Sequence, residues 1–195
     1  MTHPVRNVVI VVAALNLAYF GIEFTVAQAI GSVSLFADSV DFLEDTAVNL
    51  LIAIALGWSV ARRAQVGMAL AALLLVPGLA TLWTAWAKFN MPLPPAPLAL
   101  TVTGIGALLV NLTCAFLLAR FRSDGGSLTK AAFLSARNDS LANVAIIGAG
   151  LVTAYTFSGW PDLVVGLGIA AMNADAAKEV WEAARAEQQA STAQS

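Results

Sequence analysis

Long apolar runs alternate along this chain with short polar, proline-bearing or glycine-bearing breaks. About 20 apolar residues in a helix span a bilayer core, and six runs approach or exceed that length. The first covers about residues 8–30, and the turn Gly31-Ser32-Val33-Ser34 leads into the second, about 35–56. The polar break Ser59–Gln65, with Arg62 and Arg63, ends it, and a third run follows over about 66–87. Lys88 and the stretch Met91-Pro92-Leu93-Pro94-Pro95-Ala96-Pro97 read as a loop, because so many prolines cannot continue a helix. The fourth run is about 98–121, and Arg122–Leu128 with Gly125-Gly126 is a loop. The fifth is about 131–157. After the turn Ser158-Gly159-Trp160-Pro161, with Pro161 suited to a first helical turn, the sixth covers about 161–182, apolar as far as about Ala174. Residues 1–7 form an N-terminal segment. Residues 183–195 read as a short disordered tail, its last stretch Gln188–Ser195 small and polar.

Composition makes lipid the solvent of these runs. The chain is 59% hydrophobic and 11% charged, against about 25% charged in a soluble domain. The expected fold class is therefore an all-α membrane protein with six transmembrane helices. No short h-region with a cleavage site follows Arg6, so the first run reads as a retained span rather than a signal peptide. Under the six-span count Arg6, Arg62, Arg63, Arg120, Arg122, Lys130, Lys178 and Arg185 all fall on one side and Lys88 alone on the other. The excess of Lys and Arg marks the cytoplasmic side, so both termini are expected there, in the plasma (inner) membrane. Trp58 and Trp181 then mark cytoplasmic ends, and Trp83, Trp86 and Trp160 outer ends. A net charge of -2 gives no footprint for nucleic acid.

The rare residues exclude chemistry. Cys114 is the single cysteine, so it forms no intrachain disulfide and no cysteine-based zinc site, and it reads as a small buried hydrophobe. His3 is the single histidine, which leaves no parts for Ser-His hydrolysis or a multi-histidine zinc centre. An enzyme is not expected.

What stands out instead is acid inside a span, each residue costing about 2.5–3.5 kcal/mol on insertion scales. The second run carries Asp38, Asp41, Glu44 and Asp45. At about 100° per residue, Asp38, Asp41 and Asp45 fall within roughly a 60° arc that Asn49 continues. A polar stripe on an apolar helix must face the bundle interior or a water-filled cavity. Asp41 and Asp45 would repel each other in a low dielectric, and Arg137 is the one base deep within a span. A divalent cation or protons would supply the missing positive charge. Glu44 lies off the stripe, as an interhelical bond or a gating residue, and Asp38 lies nearer the outer end, where it could bond a neighbouring backbone.

The fifth run supplies a partner. Asp139 has Ser135 one turn before it and Asn143 one turn after. Asp45-Thr46-Ala47-Val48-Asn49 is echoed by Asp139-Ser140-Leu141-Ala142-Asn143, and each motif has an oxygen side chain four residues earlier, Asp41 and Ser135. Two helices with this face can present four oxygens to one tetrahedral cation. Asn138 is adjacent and a further candidate oxygen ligand. Arg137 points roughly opposite Asp139, toward the cytoplasmic surface or another acid. Asn16 and Glu23 share a face of the first span, as a packing pair or as lining of an ion path.

The run Asn16-Leu17-Ala18-Tyr19-Phe20-Gly21-Ile22-Glu23, and then Gly31-Ser32-Val33-Ser34-Leu35-Phe36-Ala37-Asp38-Ser39-Val40-Asp41-Phe42-Leu43-Glu44-Asp45, resembles the start of the cation diffusion facilitator family. Asp139 and Gly159-Trp160-Pro161-Asp162 are similar to that family too, and the resemblance covers about residues 8–182. It implies six spans, a homodimer, and export of zinc or related divalent metals by proton antiport. The family's transport site takes a His or Asp followed four residues later by an Asp, in spans two and five. Those positions here are Asp41 and Asp45, then Ser135 and Asp139, with Asn138 and Asp38 as outlying candidates. Ser135 stands where the family's zinc transporters usually have His. An oxygen-rich site also suits manganese, so zinc, cadmium, cobalt, iron and manganese stay open. Too few residues follow span six for the family's cytoplasmic metal-binding domain, so any dimer is expected to be held within the membrane.

The expected function is divalent-metal efflux, with zinc and/or cadmium first, by alternating access. Asp41, Asp45 and Asp139 carry both metal and protons, since metal binding must deprotonate its ligands. The metal is cargo and no resident cofactor is expected. A proton-coupled transporter or channel for a non-metal substrate, and a membrane scaffold that transports nothing, are the competing readings.

Overall fold

The computed structural model describes residues 3–54, 65, 79–90, 93–120 and 126–193. All regular structure among them is helical. Helix α1 is His3–Ile30, α2 Val33–Ile54, α3 residues 79–89, α4 Pro97–Ala119, α5 Gly126–Thr156 and α6 Trp160–Ala193. The predicted order of elements holds over these residues. Most of the third expected span, the break around Arg62 and Arg63, Trp58 and Arg122 lie outside the described residues.

Several boundaries differ from the sequence expectation. Helix α1 begins at His3 rather than near residue 8, with Pro4 suited to its first turn. Lys88, expected in a loop, lies in the last turn of α3, because the prolines that stop the helix begin only at Pro92. Helix α5 begins at Gly126 rather than near 131, so residues 126–128 are helix instead of loop. No proline interrupts Ser127–Lys130, and nothing in that stretch stops a helix. Helix α6 runs to Ala193, past the expected end near 182 and through most of the expected tail. The segment beyond 182 is rich in Ala and Gln, both strong helix formers.

Helices α1 and α4 are long and apolar enough to cross a membrane, over Val5–Ile30 and Pro97–Ala119. Many of their large apolar side chains are exposed, among them Ile10, Leu17 and Ile22 of α1. On α4 Leu98, Val102, Ile105, Leu109, Leu112 and Phe116 form a continuous exposed face at helical spacing. In water such a face would be an extended apolar patch; against lipid it is the correct solvent-facing surface.

The helices pair as α1 with α2 and α4 with α5, with α6 against α2 and α5, and α1 against α4. Inside, apolar packing concentrates at the two ends. At one end Val9 and Val12 of α1 meet Ile52 and Ala53 of α2, Cys114 and Leu118 of α4, and Ala132 and Ala136 of α5. At the other, Ala27, Leu35, Phe36, Leu100, Ile146 and Ile169 pack together. On helices α1, α2, α4 and α5 the buried carboxylates and asparagines fall between these two clusters in sequence: Asn16 and Glu23, Asp38, Asp45 and Asn49, Asn111, and Asn143; buried Ser34 and Thr153 lie outside that interval. The bundle thus holds a polar middle layer closed by apolar packing at either end.

A clasp between α6 and α2 sets the position of the acidic helix. Ser32 caps α2 by accepting a bond from the Leu35 backbone N–H at 3.1 Å. Asp162, in the first turn of α6 and 1% exposed, takes the remaining donors. Val33 N–H reaches its Oδ2 at 2.8 Å, and Ser34 N–H, Ser34 Oγ and Ser32 Oγ reach Oδ1 at 3.1, 2.7 and 2.6 Å. A carboxylate at a helix N-terminus also meets the positive end of the helix dipole. Gly166, one turn along α6, allows this approach: a Cβ there would lie 2.7 Å from the Val33 carbonyl carbon and 2.8 Å from Ser34 N. Gly31, with φ of 65°, makes the turn between α1 and α2 and lies against Lys88 from the end of α3. Burial lowers the Lys88 pKa, while the charge of Asp162 opposes that shift.

Asp162→Ala should strip several enclosed donors of their acceptor, at about 1–3 kcal/mol for each one left unsatisfied. The expected result is a marked drop in the denaturation midpoint in mixed micelles, with Asp162→Asn losing less. An unchanged midpoint in Asp162→Ala would remove the clasp from the account.

Candidate metal centre

The α2 stripe turns inward as its periodicity requires. Asp38 is fully enclosed and Asp45 is 6% exposed, while Asp41 and Glu44 are partly buried. Helix α5 brings Ser135 and Asp139 to the same level, each partly buried. Ser135 Oγ lies 3.0 Å from Asp45 Oδ1 and 3.4 Å from Asp139 Oδ2, so one hydroxyl proton serves two carboxylates on different helices. Asp41 lies within electrostatic reach of Asp139, Asp38, Glu44 and Asp45. The four expected ligands therefore occupy one layer between α2 and α5. Among the described residues no three acidic, histidine or cysteine side chains close on a single point. The layer is an assembled set of oxygens without a closed coordination shell.

The repeated Asp-[Ser/Thr]-x-x-Asn motif plays matching structural parts. Thr46 Oγ1 bonds the Phe42 carbonyl at 2.7 Å and Ser140 Oγ the Ala136 carbonyl at 2.8 Å. Both hydroxyls thus bond the preceding turn of their own helix, and Thr46 Oγ1 also lies 3.5 Å from the Ala13 carbonyl of α1. The asparagines diverge. Asn49 Nδ2 bonds the Asp45 carbonyl at 2.8 Å, whereas Asn143 Nδ2 crosses to Asp38 Oδ2 at 2.6 Å.

Asn138 is exposed, and its Oδ1 accepts from the exposed Arg137 at 3.3 Å. The structure does not bring it to Asp45 and Asp139. Asp38 lies one turn along α2 from Asp41 and is bonded to Asn143 rather than to Ser135. Cys114 is free and fully buried, with Sγ 3.8 Å from Asn16 Oδ1.

One residue of this network had no place in the motifs. Asn111 of α4 donates to Asn143 Oδ1 at 3.0 Å and is 2% exposed. With both ends engaged, the Asn143 amide cannot flip, and Asp38 is held in turn. The available signal was a lone asparagine in an otherwise apolar span. Tyr19 is a second such contact: its hydroxyl donates to the Thr103 carbonyl at 2.6 Å, and it approaches α4 over Gly106, where any Cβ would collide with that hydroxyl.

Residues 9–185 match a family model described as the cation efflux transmembrane domain. Among curated proteins none matches the chain.

The bridging hydroxyl leads to a prediction about ligand choice. Ser135→His should place an imidazole nitrogen between Asp45 and Asp139 and shift preference toward zinc over manganese, since imidazole suits zinc and oxygen donors suit manganese. Ser135→Ala should weaken zinc binding by about tenfold, the lower range for losing a group that orients ligands. Calorimetric titration of both variants checks this; equal affinities across wild type and both variants would place the metal elsewhere.

Proposed function

The chain belongs to the cation efflux family, and on that premise we propose that it exports zinc and/or cadmium from the cytoplasm in exchange for protons. The observation that carries this reading is the Ser135 bridge, which holds Asp45 of α2 and Asp139 of α5 together at one level of the bundle. Two carboxylates at that distance from a shared hydroxyl need positive charge between them. Either a divalent cation or protons supply it, and the two exclude each other because carboxylates must be deprotonated to bind metal.

The cycle follows from that exclusion. A divalent ion arriving from the cytoplasm displaces protons from Asp41, Asp45 and Asp139, with Ser135 Oγ turning a lone pair toward it. The bundle then rocks so that the layer opens outward. Release of the metal leaves the carboxylates to be reloaded by external protons, and the neutralised layer returns. The clasp of Asp162 on α2 makes α2 and the start of α6 move as one body in such a step. The proposed setting is six spans in the plasma membrane, both termini cytoplasmic, with a homodimer formed through the lipid-embedded helices.

Inside-out vesicles carrying the protein should take up zinc when their lumen is acidic, with uptake falling as the pH difference is dissipated. Asp45→Ala and Asp139→Ala should each reduce that uptake by at least about tenfold, since loss of even an outer-shell group costs metal sites that much. Uptake at the wild-type rate in either variant would contradict the site.

A further inference from the structure

Beyond the Asp45–Ser135–Asp139 layer, toward the N-terminus of α2, lies a second pair of carboxylates that the proposed cycle does not use. Helices α1 and α2 run antiparallel through the turn at Gly31, which places Glu23 and Asp38 at one level. Both are fully enclosed. Neither oxygen of Glu23 has a hydrogen-bond partner, and Asp38 Oδ1 has none. The two carboxyl groups lie side by side, close enough for one to bond the other if either carried a proton. The other Asp38 oxygen is held by Asn143, itself held by Asn111. Tyr19 lies within electrostatic reach of both acids, but its hydroxyl proton is committed to Thr103. The ion pair formed by described residues, Lys178 with Glu182, is far along α6 and exposed.

Three unpartnered carboxylate oxygens from two helices form an acceptor-only cluster. Such a cluster suits a hard or borderline divalent cation, which binds oxygen and completes its coordination with water where the protein supplies fewer ligands. The Asn111–Asn143–Asp38 chain fixes one carboxylate in advance, which is what an ion site needs and a packing contact does not. We propose that Glu23 and Asp38 form a second cation stop, one helical turn from the Asp41–Asp45–Asp139 layer, through which the metal passes between that layer and the α2 N-terminal end of the bundle. Its incomplete protein shell makes it a transit stop, since conduction requires each site to be weak enough to leave. This inference rests on the transport reading for the identity of the ion, and on Glu23, Asp38 and Asn143 for its place.

Equilibrium dialysis of zinc against the purified full chain tests it. The Asp45→Asn/Asp139→Asn double variant, with the first layer disabled, should retain about one zinc per chain, bound more weakly than in wild type by about tenfold or more. Adding Glu23→Gln should abolish that remaining zinc. Adding Glu23→Asp instead, which keeps the carboxylate, should preserve part of it and so separate a ligand from a packing role. If wild type binds zinc and the double variant binds none, the second stop is overturned and the transport reading stands. If wild type binds none, the transport reading falls as well. Zinc retained by the double variant regardless of Glu23→Gln would overturn the assignment. So would a Glu23→Gln chain whose only change is the pH dependence of transport, which would mark a proton-sharing pair.

Discussion

Carboxylates placed in the middle of an apolar helix dictate most of what the rest of this bundle does. Helix α2 runs for 22 described residues and carries four acids among them. Hydrocarbon cannot receive those groups, so the stripe they form must be covered on every side. Cover comes from α1, α4, α5 and α6, and the buried asparagines and serines of those helices lie at the level of the acids rather than elsewhere. Apolar packing is displaced to the two ends, where it seals the layer from both sides. The arrangement reverses the usual plan of a soluble bundle, with a polar interior and an apolar exterior over much of its height.

The same constraint explains why the layer is organised by neutral groups. Ser135, Asn143, Asn111 and the α2 backbone stand next to the carboxylates without cancelling their charge. A neutral donor fixes where a carboxylate points and leaves it free to exchange a proton for a metal. A lysine or arginine in the same place would form a permanent pair and remove the need for any ion. Arg137, the base expected deep within the fifth span, is exposed and bonded to Asn138. Among the described residues Asp162 is the strongly satisfied carboxylate, and its work is mechanical: four donors tie it to the start of α2.

Much of this was legible from residue order, and the divide between legible and hidden is physical. Periodicity placed Asp38, Asp45 and Asn49 on one inward face of α2, because a helix fixes angular relations among its own residues. The repeated Asp-[Ser/Thr]-x-x-Asn pattern paired α2 with α5, and Ser135 does join Asp45 to Asp139. Which neighbour each group bonds was hidden, because that depends on the distance and rotation between helices. Asn143 was read as part of the Asp139 face and instead holds Asp38; Asn138 was read as a possible ligand and lies on the exposed side. Asn111 and the Asp162 clasp went unread for the same reason: their partners are 32 and about 130 residues away. Helix ends were also hard to read: the loop around Gly125-Gly126 was drawn past the glycines although α5 begins at Gly126, and no proline or glycine forces a stop at the end of α6.

On the proposed function, one layer of oxygens between α2 and α5 binds the transported cation. Crystals soaked with zinc and recorded at the zinc absorption edge test it most directly. The expected result is an anomalous peak among Asp41, Asp45, Ser135 and Asp139, about 2.0–2.2 Å from the carboxylate oxygens. A peak confined to His3 or Cys114, or an empty layer in a zinc-bound protein, would contradict it.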